Sequence, residues 1–171
     1  FLSTRATNVG DDFVREGIQA ILDEVVDYQG YLVNKHDTDI SCATPYPEDT
    51  GPPLKDKVLE ADVVFQCGAP VYWNLGPSPG QKCSNAEWIE PFWYRRIAPA
   101  HRQQLVLNVA AGACQPYGGS AGQVLDDAEC ARFIRDIYSY CRLTTVRDQL
   151  AEDIHSLLGI QVKRMPCVSI H

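Results

Sequence analysis

No stretch of this 171-residue sequence strings together the roughly 18 apolar residues that a bilayer-spanning helix needs. The N-terminus also lacks the basic and apolar regions of a secretory signal, so no transmembrane segment is expected and a cytoplasmic location is. Positive charge is scarce: 15 Lys and Arg stand against 22 Asp and Glu, a formal net charge of -7. Binding a phosphate backbone draws on clustered Lys and Arg that displace counterions, so nucleic acid is not an expected partner. The seven cysteines are odd in number and include no CxxC or CxxxC pair, which argues against a disulfide scaffold and supplies no zinc-ligand spacing. GxGxxG is missing, as is the Lys of a P-loop. His36 and His101 stand without a serine or cysteine nucleophile pattern beside them. These residues imply no cofactor and no metal.

Apolar material is ample. At 45% hydrophobic, the chain can build one sizeable core, and residues 1–171 read as a single Rossmann-like domain. Runs rich in β-branched residues alternate with helical patterns, the signature of βαβ units. Strands are expected near Phe1–Thr4, Tyr31–Asn34, Ala61–Gln66, Gln104–Ala110, Leu143–Val146 and Gln161–Arg164. Helices are expected near Asp11–Tyr28, Leu54–Glu60, Ala86–Ile97, Asp126–Cys141 and Asp148–Leu158. The resulting fold class is α/β, a doubly wound and mostly parallel sheet of about six strands, the first strand central, with helices on both faces. The first helix repeats Phe13, Val14, Gly17, Ile18, Ile21, Leu22, Val25 and Val26 at helical spacing, with Asp23, Glu24 and Asp27 on its other face. Cys130 and Cys141, about three turns apart, fall on one helix face beside Ile134 and Ile137 and read as small core residues. Cys67, Cys83 and Cys114 could meet near strand ends, but buried or merely adjacent thiols are the better reading.

Long loops at Lys35–Pro53 and Gly68–Asn85 both follow strands, and so open at the edge where ligands bind in open α/β sheets. The run Ser3-Thr4-Arg5-Ala6-Thr7-Asn8-Val9-Gly10-Asp11-Asp12-Phe13 places a strand end, a sharp turn and a helix start in eleven residues. Asn8 and Gly10 suit the turn, and Asp11 or Asp12 can cap the helix. Two carboxylates at a helix mouth repel a diphosphate and instead accept hydrogen bonds from sugar hydroxyls.

The Asn-x-Gly-Asp turn resembles that of the polysaccharide pyruvyl transferase family. Ala61-Asp62-Val63-Val64-Phe65-Gln66-Cys67-Gly68 is similar to the family's Ala-Asp strand ending in glycines. Leu143-Thr144-Thr145-Val146-Arg147-Asp148, followed by Leu158-Gly159-Ile160, resembles its Val-Arg-Asp and Leu-Gly segment. The sequence departs from the pattern at Cys67-Gly68-Ala69 and at Gly112-Ala113-Cys114, where glycine-rich stretches are usual. The resemblance implies one half of a glycosyltransferase-B-like (GT-B-like) enzyme that transfers a pyruvyl group from phosphoenolpyruvate to a sugar hydroxyl. This half is expected to serve the acceptor side, with the donor's basic residues in a C-terminal domain beyond His171. Catalytic residues are not assignable here, and the fragment alone is expected to be inactive. Alternatives are a nucleotide-sugar-dependent glycosyltransferase and a non-catalytic binding module on the same scaffold. Substrate-binding candidates, each just after an expected strand, are Asn8, Asp11, Asp12, Gly68, Tyr72, Trp73, Gly112 and Arg147. Asp148 reads as a helix N-cap, and Tyr72 and Trp73 either as rings that stack on sugars or as ordinary aromatics with one buried edge and a polar tip.

Overall fold

The computed structural model describes residues 1–3, 9–31, 33–34, 60–67, 72, 74 and 104–170. The elements are β1 (Leu2–Ser3), α1 (Val9–Val25), β2 (Val33–Asn34), β3 (Val63–Gln66) and β4 (Leu105–Ala111). They continue with α2 (Ala121–Leu125), α3 (Ala128–Tyr140), β5 (Leu143–Val146), α4 (Gln149–Leu157), β6 (Lys163–Arg164) and a 3-10 turn over Val168–Ile170. The helices expected over Ala86–Ile97 and most of Leu54–Glu60 lie outside the described residues.

The strands pair in the order β2-β1-β3-β4-β5-β6, and every neighbouring pair is parallel. The chain is therefore α/β with a parallel sheet. β1 is flanked on both sides, but β3 and β4 occupy the middle, which corrects the expectation of a central first strand. Residues following β1 run outward to β2, and β3 then returns to the opposite side of β1, so the winding reverses between β1 and β3.

Alternation along the strands separates two cores. Val64, Val106, Ala111 and Val146 pack with Phe133, Ile134 and Ile137 of α3 and with Ala151 and Ile154 of α4. Cys67 and Ala110 pack instead with Val14 and Ile18 of α1 and with Val168 of the 3-10 turn. Strict alternation fails once in β4, where the pairing register with β5 shifts between Asn108 and Ala111. Ala110 takes φ 54 at that bulge, a left-handed geometry that costs a residue with a Cβ free energy. The extra residue returns Ala111 to the α3 and α4 face.

The apolar stripe of α1 is only partly buried. Val14 and Ile18 are core residues, whereas Phe13 is 54% exposed and Val25 72%. Arg15 and Gln19 are buried in their place, bonded to each other at 2.8 Å. The helix begins at Val9, so Asp11 and Asp12 belong to its first turns rather than to its N-cap. Cys130 is a buried residue of α3, but Cys141 is the extended C-cap residue beyond its end, still packed against the same core. Asp127 caps α3 through the Glu129 amide, a role that composition alone did not assign.

Gly17 is where α1 touches the 3-10 turn. A Cβ there would stand 1.9 Å from the Val168 carbonyl oxygen, a backbone atom with no freedom to swing aside. Gly17→Ala raises helix propensity by about 1 kcal/mol, yet the overlap outweighs that gain. The expected result is a net loss of about 1–3 kcal/mol, read as a lower urea midpoint with an unchanged m-value.

His155 is fully buried in α4, edge-on to Tyr72 at a centroid distance of 5.0 Å. Its Nδ1 lies 2.8 Å from the Ala151 carbonyl, which can only accept, so Nδ1 carries the proton and Nε2 is bare. Nε2 has no hydrogen-bond partner among the described residues. Burial pushes the imidazole below its usual range, against a smaller opposing pull from the Ala151 carbonyl. The unfolded chain protonates this side chain near pH ~6.5 while the folded chain does not. The stability His155 confers is thus present above about pH 6.5 and is lost as pH falls toward its folded pKa. In His155→Phe, the acid-side slope of stability between about pH 6.5 and 5 should be shallower than in the parent by up to about 1.4 kcal/mol per pH unit, measured by urea unfolding.

Candidate functional site

In an open parallel sheet, ligands sit outside the carboxyl ends of the strands, where the winding reverses. Here that point lies between β1 and β3. Asn8, Gly68 and Trp73 lie outside the described residues, so the neighbouring rim of β4, β5 and β6 supplies the geometry.

Three connections converge there. Arg147 leaves β5 with its amide bonded to the Ala111 carbonyl at 3.0 Å. Asp148 follows as the N-cap of α4, accepting from the Ala151 amide at 2.8 Å through Oδ1. Its Oδ2 accepts from the Ala113 amide at 3.0 Å, which ties the segment after β4 to the mouth of α4. The N-cap expected at Asp148 is present, and it has this second function.

Gly112 and Arg147 are in direct apposition. A Cβ on Gly112 would fall 2.7 Å from Arg147 Nε, 2.9 Å from its Nη2 and 3.0 Å from Asp148 Oδ2. The missing side chain is what lets the guanidinium lie against the backbone. Arg147 Nη1 donates to Cys167 Sγ at 3.6 Å, and Cys167 Sγ lies 3.1 Å from Ser169 Oγ. The carboxyl ends of β4, β5 and β6 thus contribute a glycine, an arginine and a thiol with a hydroxyl to one place.

Tyr72 approaches this rim through its backbone. It bridges to Ala113 in parallel, donating from its amide to the Gly112 carbonyl at 3.2 Å and accepting from the Cys114 amide at 3.0 Å. Its ring is fully buried in the α3 and α4 core, with the hydroxyl accepting from Asn108 Nδ2 at 3.2 Å. Burial pushes the phenol far above its usual range, so it stays protonated. No face of the ring is open for stacking on a sugar; Tyr72 holds Gly112 in position instead.

Asp12 and Arg15 form an ion pair at 3.4 Å on α1, with Glu16 at 3.3 Å from the same nitrogen. The acidic opening of α1 is therefore mixed in sign. Asp11 is placed in the first turn of the same helix.

Sequence reasoning did not single out Gln66, Asn108, Cys167 or Ser169 as site residues. Gln66 and Asn108 are register partners, as are Asn108 and Thr144, so three buried polar side chains form a row across β3, β4 and β5. Both amide atoms of Gln66 and Oδ1 of Asn108 have no hydrogen-bond partner among the described residues. A polar residue at the same place in two otherwise apolar strands was the available signal.

The fold and rim define a parallel α/β protein with a polar, mixed-charge carboxyl edge. The family model for polysaccharide pyruvyl transferase matches residues 8–170, and the chain belongs to that family. Comparison with curated proteins and with solved structures finds no match. Among the described residues, no helix is long and apolar enough to cross a membrane.

Gly112→Ala should displace the Arg147 guanidinium and loosen the carboxylate of Asp148 from the Ala113 amide. The expected cost is about 1–3 kcal/mol of stability by urea unfolding. Gly122→Ala is the comparison, since the nearest atom to a Cβ there is Ser120 Oγ at 3.7 Å, an ordinary contact; a loss at residue 112 no larger than at 122 would show that Arg147 moves aside freely.

Proposed function

We propose that this chain forms the acceptor side of an enzyme that transfers a pyruvyl group from phosphoenolpyruvate to a sugar. The observation that carries the reading is the family match over residues 8–170. In such a transfer, carbon 2 of phosphoenolpyruvate gains bonds to two sugar hydroxyl oxygens and phosphate leaves. One hydroxyl proton goes to carbon 3, making it a methyl group, and the other leaves with phosphate. The product is a ketal, and no electrons are exchanged with a third partner.

That chemistry needs hydroxyl acceptors on one side and a cation for the donor's carboxylate or phosphate. Asn8, Asp11, Asp12, Gly68 and Trp73 serve the sugar in this reading, with carboxylates accepting from hydroxyls. Gly112 and Arg147 border the same cleft and bring a cation to it, an arrangement supported by their apposition. Tyr72 acts through the backbone of Gly112. The whole enzyme is GT-B-like, with this sheet of about six strands as its N-terminal half and the donor's basic residues in a second domain.

Incubation of the complete protein with phosphoenolpyruvate and a panel of sugars should release phosphate in an acceptor-dependent way. Turnover with a nucleotide-sugar and none with phosphoenolpyruvate would instead establish a glycosyltransferase, and turnover with neither a binding module. Asp11→Asn should raise the acceptor KM several-fold, while its stability cost stays within the roughly 0.3–1 kcal/mol of a charge near a helix N-terminus.

A further inference from the structure

Cys167 differs from the other described cysteines in its surroundings. Cys67 and Cys130 are buried, and burial pushes the Cys141 thiol up to about 12 despite a hydrogen bond from Thr144. Cys114 is exposed but has no cationic partner among the described residues. Cys167 is only partly buried, and two chain segments converge on its sulfur: Arg147 Nη1 at 3.6 Å from the end of β5, and Ser169 Oγ at 3.1 Å from the 3-10 turn. Gly112 fixes the guanidinium from the opposite side, because Arg147 Nε and Nη2 occupy the space of its missing Cβ.

The neighbouring charges are committed elsewhere. Asp148 spends both oxygens on the Ala113 and Ala151 amides. Arg164 of β6 pairs with Gln149 and with Glu152 of α4. On α1, which packs against the 3-10 turn, Arg15 is taken up by Gln19, Asp12 and Glu16. Among the described residues, Arg147 is thus the cation that faces the sulfur, and Ser169 the hydroxyl.

We propose that Arg147, Cys167 and Ser169 form an ion-paired thiol site at the carboxyl edge of the sheet, where small electrophiles and peroxides modify Cys167. The geometry matches the setting in which a thiol becomes a nucleophile, an electropositive and partly open environment. Burial works against ionisation of Cys167, but the hydrogen bonds from Ser169 and the charge and hydrogen bond of Arg147 outweigh it and hold the thiol below its usual range. With a peroxide, the thiolate sulfur attacks one peroxide oxygen, the O–O bond breaks and the second oxygen leaves as hydroxide, which takes up a proton to give water. Sulfur is oxidised by two electrons to the sulfenic acid level and the peroxide is reduced. With an alkyl halide, sulfur gains a carbon bond, halide leaves, and the negative charge that faced Arg147 is gone. Modification therefore frees a guanidinium at the rim.

The experiment is competitive labelling of the folded chain with iodoacetamide at about pH 6.5, followed residue by residue by mass spectrometry. Cys167 should label faster than exposed Cys114. Arg147→Gln should slow Cys167 by about tenfold for each unit of pKa it regains, and leave Cys114 unchanged. Ser169→Ala removes the nearer hydrogen-bonding partner and should slow it as well, and it carries the test if Arg147→Gln does not fold. Hydrogen peroxide with dimedone trapping should mark Cys167 in the parent, and the mark should fall in Arg147→Gln or Ser169→Ala. Labelling of Cys167 at the rate of Cys114, or rates indifferent to both substitutions, would overturn the proposal. Neither readout requires turnover, so the outcome is independent of the pyruvyl-transfer reading.

Discussion

The Asp148 carboxylate holds two elements with one side chain. One oxygen closes the first turn of α4 and the other secures the backbone after β4. A carboxylate that accepts two backbone amides is a strong, directional clamp, since each is a charge-assisted bond to a group that would otherwise be left unpaired. Its position just after Arg147 then fixes where that guanidinium can lie, which is against Gly112. The rim's geometry follows from this clamp.

The two cores divide the labour. On the side of α3 and α4, buried Phe, Ile and Val residues supply most of the apolar burial beneath the clamp. On the α1 side, contact is closer and thinner, with Gly17 set against the backbone at Val168. That contact brings the segment carrying Cys167 and Ser169 up to α1. The bulge at Ala110 serves both faces, since it turns Ala110 toward one and Ala111 toward the other while the Ala110 amide donates to Thr145 Oγ1 at 2.9 Å.

Periodicity made the parallel α/β class legible, because short β-branched runs separated by helical patterns admit few other arrangements. The caps were legible in kind but shifted in place. Asp148 caps as its sequence position implies, whereas α1 starts at Val9 and so takes Asp11 and Asp12 inside its first turns. The exposure of Phe13 and the burial of Arg15 could not be read from the stripe, since a helical pattern gives a face and not what covers it. Tyr72 shows a similar limit: its place after β3 suggested the rim, and its ring turns into the core because Asn108 offers the hydroxyl a donor there. The family resemblance rested on three short motifs in order and is matched over residues 8–170. Cys167 drew no notice because its partners are twenty residues back, at Arg147, and across a turn, at Ser169.

The polar row of Gln66, Asn108 and Thr144 has a meaning for folding as well as for packing. Parallel pairing of short strands is tolerant of misalignment when every side chain is simply apolar, and β3 has only four residues with which to choose. In the native register the three polar groups stand side by side. Sliding β3 by one residue would bring Phe65 opposite Asn108 and turn the Gln66 amide toward the α1 layer, among Val14, Ile18 and Ala110. Each wrong alignment scatters groups that share one stratum of the interior, so the row works as a key that admits one alignment of the sheet's middle strands.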